Sequence, residues 1–114
     1  GMSNTVMAGE IVLVPESADN RGEYYTRSGI GTLFSTQEPP DSLDYISAFG
    51  CVSAPYAPCQ RRYGGYNFHV RSRHHNAVHV LLADGAVRSV TKQIDSTIFQ
   101  SLGSRNGGEV SGEW

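Results

Sequence analysis

Apolar positions along the 114 residues fall into a few short runs separated by turn formers. The run Val6-Met7-Ala8, followed by Ile11-Val12-Leu13-Val14, predicts a strand over residues 5–14, because β-branched and aliphatic side chains dominate and Pro15 stops it. Residues 15–43 read as loop, punctuated by Asp19-Asn20, Gly22, Gly29, Gly31 and Pro39-Pro40. Two apolar pieces near this stretch, Ile30–Phe34 and Tyr45–Phe49, are candidates for short strands. Residues 50–66 are again irregular, since Pro55, Pro58, Gly64 and Gly65 exclude a central strand.

The clearest pattern is Ala77–Val90, where two β-prone runs flank Asp84-Gly85. Asp-Gly favours a two-residue type I′ hairpin turn, in which both central residues take positive φ. Val78, Val80 and Leu82 alternate with the apolar Leu81 and Ala83, so the first strand is expected to be central and covered on both faces. Ile94, Ile98 and Leu102 then share one helical face, with Phe99 beside them. Asp95 suits the N-cap and Gly103 the left-handed position after the helix. The expected fold is α+β: a small antiparallel sheet built on a hairpin at about 77–90, one short C-terminal helix at about 94–102, and long irregular loops. Ser104–Trp114 reads as an irregular or extended finish.

Composition narrows this picture. The length suits one domain, and residues 3–114 carry no internal repeat or linker. Gly1-Met2 reads as the remnant of tag removal. The abrupt start on a core-like segment suggests the C-terminal part of a longer protein whose leader and membrane anchor lie upstream. A net charge of −2 argues against a nucleic-acid module. No apolar run in the chain is long enough to span a membrane.

Candidate chemistry is sparse. Cys51 and Cys59, with seven residues between them in a Pro-rich loop, lack the tight spacing and further ligands of a metal site. A disulfide leads free buried thiols, with metal or catalysis last, and it would place the protein outside a reducing cytosol. His69, His74, His75 and His79 are tempting, but in a strand His75 and His79 lie roughly 13 Å apart. His74 and Asp84 are separated still further along an extended chain. Structural histidines are therefore expected, with no metal, no cofactor and no catalytic residue. Gly103–Gly108 follows a helix instead of opening one and lacks the lysine of a phosphate loop.

Ser72-x-His74, nine residues, Asp84-Gly85 and then Val87-Arg88 resembles the His-x9-Asp-Gly signature of the prepilin-like proteins called domain of unknown function 1559. Asp95, Phe99, Leu102-Gly103 and Arg105-Asn106-Gly107-Gly108-Glu109 resemble that family's closing segment, and Ser3-Asn4-Thr5 with Gly9-Glu10 an earlier element. His75-Asn76-Ala77, Ala86 and Ser104 depart from its usual residues. The resemblance implies an exported head, periplasmic or on the cell surface, held in the membrane by an N-terminal helix. Its partners would be other pilin-like subunits or secretion components. On that reading Asp84-Gly85 sets the hairpin, His74 fixes the entry into the central strand, and Arg88 pairs with an acidic group or a tail carbonyl.

Three functions compete. The first is a non-enzymatic assembly module of a type IV pilin-like or type II secretion pseudopilin-like protein. The second is an extracellular carbohydrate- or solute-binding domain using exposed tyrosines and Trp114. Third comes a histidine-based metal-dependent enzyme.

Overall fold

The computed structural model describes residues 1–23, 30–46, 51–63, 65–104 and 114. The hairpin organises it. Strands β4 (Ala77–Leu82) and β5 (Val87–Thr91) pair antiparallel, and β1 (Val6–Gly9) adds antiparallel to the other edge of β4, giving the order β1-β4-β5. The central position expected for β4 is thus found. Its two faces differ, however. Val78, Val80 and Leu82 are buried while His79 is exposed and Leu81 half-buried, so only one face is sealed, as antiparallel sheets commonly allow.

The turn between β4 and β5 is wider than the two-residue loop expected. Leu82 N donates to Ala86 O at 2.8 Å and Gly85 N to Leu82 O at 2.9 Å, leaving Ala83, Asp84 and Gly85 as the loop. Gly85 takes φ +92° while Asp84 stays at negative φ. A three-residue loop needs one left-handed residue at its last position, and glycine supplies it without strain.

Helix α1 (Ser96–Leu102) starts where Asp95 caps it, its carboxylate accepting from Thr97 N at 2.9 Å and Ile98 N at 3.1 Å. Gly103 is in the right-handed region (φ −83°), not the left-handed one expected. Phe99 and Leu102 of α1, with Ile94 before it, bury against Val78, Val80, Leu82 and Val90, and Val70 completes this core.

Strand β1 stops at Gly9, short of the predicted 5–14. The Glu10 carbonyl accepts from Arg71 N at 2.8 Å, which draws the chain off the sheet, and a bulge falls between Val6 and Ala8. Ile30–Thr32 is a 3-10 turn instead of a strand. Part of the Tyr45–Phe49 piece does form a strand, β2 (Asp44–Ile46); its residues 47–49 lie outside those described. β2 pairs in parallel with β3 (Cys59–Arg61), which begins just after Pro58 in the segment expected to be irregular. The connection 47–58 has about the minimum length a parallel crossover needs. Cys51 and Cys59 are joined by a disulfide within this unit, with Cα atoms 6.3 Å apart.

Arg21 ties the loops to this second sheet. Its guanidinium donates to Asp19 and Asp44 carboxylates, at 2.7 Å and 2.9 Å, and to the carbonyls of Ala57 and Val52. All five of its N–H donors are engaged. Asp44 also accepts from the His69 amide at 3.0 Å and contacts the His69 ring at 3.0 Å, with Arg71 at 3.5 Å. Asp19, Arg21, Asp44, His69 and Arg71 are all buried, so Asp19 and Arg21 of the stretch read as loop join the others in a polar core, with His69 in the structural role expected of it.

Candidate functional site

The hairpin signature divides into local and long-range parts. Asp84 Oδ1 accepts from Ala86 N at 2.9 Å, which closes the turn beside Gly85. Val87 is exposed on β5. Arg88 donates to the carbonyl of Trp114 at 2.9 Å and stacks over its ring at 4.0 Å. Arg105, Asn106, Gly107, Gly108 and Glu109 lie outside the described residues.

His74 makes no described contact with Asp84. The chain bends sharply at residues 73–76, because the Ser72 hydroxyl donates to Ala77 O at 2.6 Å and accepts from His74 N at 3.2 Å. That bend lays His74 against His79, with ring centroids 5.2 Å apart and nearly perpendicular planes. Glu10 closes the group: its carboxylate is 3.4 Å from His74 Nε2 and 3.3 Å from His79 Nδ1. Strand spacing separates His75 from His79, but the pair that meets is His74 and His79, with an acid about seventy residues upstream. The only sequence signal for this was Ser72, a turn former two residues ahead of His74.

Partial burial alone would raise the Glu10 carboxyl. The amide and ring hydrogen bonds of His79, and the charges of His79 and His74, outweigh it and hold the group below its ordinary value. Glu10 is therefore ionised throughout the range in which histidines titrate.

Two surface grooves are present, the first of which reaches this cluster at His74. One, of about 450 Å³, runs past Tyr56, Arg73, His74, His75 and Lys92, with the Arg73 guanidinium 4.0 Å over the Tyr56 ring. The other, of about 270 Å³, is lined by Tyr45, Tyr63, Tyr66, Glu38 and Asn67, and Tyr63 and Tyr66 are exposed. Trp114 is half-buried under Arg88 and packs toward the core, which removes it from any open aromatic surface.

Residues 1–97 match the family described as "Protein of unknown function (DUF1559)". The chain belongs to the DUF1559 family. No curated protein and no solved structure matches it. The DUF1559 match takes in all five strands, Glu10, the four histidines and the Asp95 cap, and it ends inside α1. It therefore covers the hairpin and the His74 bend, and leaves the Arg105–Glu109 tail outside.

Proposed function

We propose that this DUF1559 chain is the exported head of a pilin-like or pseudopilin-like protein and works by assembly, without catalysis of its own. The observation that carries the reading is the half-covered sheet. Helix α1 seals one face, while the other presents Ala8, Leu81 and Val87 in one row across the three strands, beside an exposed Met7. Val87 is 67% and Met7 60% exposed. A sheet with apolar side chains on its open face is one layer short, and an apolar helix or a neighbouring subunit supplies that layer. The disulfide supports an oxidising compartment. Val87→Asp, placed in the natural full-length protein, tests this. The head should fold normally, since Val87 is exposed, while the protein is lost from the assembled fraction sheared from cells. Unchanged assembly would contradict the proposal.

The tyrosine surface favours a second reading, an extracellular carbohydrate-binding domain. Tyr45, Tyr63 and Tyr66 around Asn67 and Glu38 combine ring faces with polar groups, the chemistry that stacks on sugar rings. A thermal-shift screen with sugars supports it if stabilisation disappears in Tyr66→Ala, and a flat screen removes it.

A further inference from the structure

We propose that Glu10, His74 and His79 bind a divalent transition-metal ion of the zinc class, through one imidazole nitrogen from each histidine and a carboxylate oxygen. The three residues offer one ligand atom each, all within 4.8 Å of one another. Tetrahedral zinc with bonds near 2.0–2.1 Å separates its ligand atoms by about 3.4 Å. One carboxylate oxygen stands 3.4 Å from His74 Nε2 and the other 3.3 Å from His79 Nδ1. Bringing one ligand atom from each residue, now all within 4.8 Å of one another, to that spacing closes each gap by at most about 1.4 Å. Rotation of half-exposed rings is enough for that.

The backbone beneath the cluster is fixed. Glu10 N donates to His79 O at 3.2 Å, Arg71 N donates to Glu10 O, and the Glu10 carboxylate takes the His79 amide at 2.7 Å. His79 lies on the central strand, and the Ser72 hydroxyl holds the bend that carries His74. A site whose supports are a strand pair and a bonded bend keeps its geometry better than one on free loops. Two imidazoles and one carboxylate on one side form a donor set that suits zinc and its neighbours and leaves positions open. His74 and His79 side chains are 60% and 47% exposed, so the open positions face solvent and accept water or a ligand from another molecule. The proposal is independent of the assembly reading and stands if that reading fails.

Calorimetric titration of the tag-free protein with zinc chloride tests it. One zinc per chain is expected, with His74→Ala and Glu10→Gln each weakening binding at least about tenfold. His75→Ala, in the same bend but outside the ligand set, should leave it unchanged. Binding should also weaken on acidification, as protons compete with the metal for the ligand atoms. Circular dichroism of the metal-free variants separates lost ligands from lost fold, and the exposed His74 is the safer of the two positions. No binding at submillimolar zinc, or binding that survives His74→Ala or is lost with His75→Ala, would overturn the site.

Discussion

Asp44 stands where Arg21, His69 and Arg71 converge, almost wholly out of water. Burial by itself would raise its carboxyl. The hydrogen bond from the His69 ring, the charge of Arg71 and the hydrogen bonds from Arg21 and the His69 amide outweigh that and hold it below the ordinary carboxylate value. The unfolded chain therefore binds the proton first as pH falls, so stability from Asp44 is complete above the unfolded value and is lost as pH drops through the folded one. Urea melts should show stability falling on acidification below about pH 4, and Asp44→Asn should flatten that slope. Removing the carboxylate leaves buried cations uncompensated, so Asp44→Ala should cost about 3–5 kcal/mol at neutral pH. A loss under about 1 kcal/mol would mean the cluster is not a structural core. None of this was legible in the chain. Asp19, Arg21 and Asp44 are scattered charges among prolines and glycines, and such charges are ordinarily solvated. Their burial follows from contacts between segments more than twenty residues apart, which no local pattern announces.

At the scale of elements, the hairpin and α1 were readable because their signals are local. Asp-Gly between β-prone runs, and Asp95 ahead of a 3.6-residue period, act within a few residues of themselves. What the pattern missed was how the local pieces close: a three-residue turn instead of two, a helix end without a left-handed residue, and a strand cut short at Gly9. The parallel pair β2–β3 was hidden because Asp44, Gln60 and Arg61 are polar, and its strands are held by Arg21 and the disulfide more than by apolar alternation. Two substitutions probe the legible elements. Gly85→Ala puts a Cβ into open space, so its cost is backbone strain alone, about 1 kcal/mol in a urea melt. Asp95→Ala removes the two cap bonds of α1 and should cost about 1 kcal/mol. Reduction of Cys51–Cys59 should cost about 2.5 kcal/mol on the loop-entropy estimate, and an unchanged melting point after reduction would show that the bond constrains nothing.

Across the whole molecule, one sheet links the features that bear on function. Its sealed face holds the α1 core, and its other face carries the Ala8–Leu81–Val87 row with the Glu10–His74–His79 cluster at the next register position. Assembly and any metal-mediated contact would thus share a side of the molecule, opposite the helix. Residues of the hairpin segment join both: Asp84-Gly85 shapes the end of the hairpin, and His74 reaches back to His79 on the strand that the hairpin begins. On the function proposed above, the chain is the head of a protein carried outside the cytoplasm on an apolar N-terminal helix. The most direct test of this is the mature N-terminus of the full-length protein, purified from the membranes of its own cells and sequenced by mass spectrometry. A processed end followed at once by about 20 apolar residues is expected. An unprocessed protein recovered from the cytosol, with no such segment ahead of the head, would contradict it.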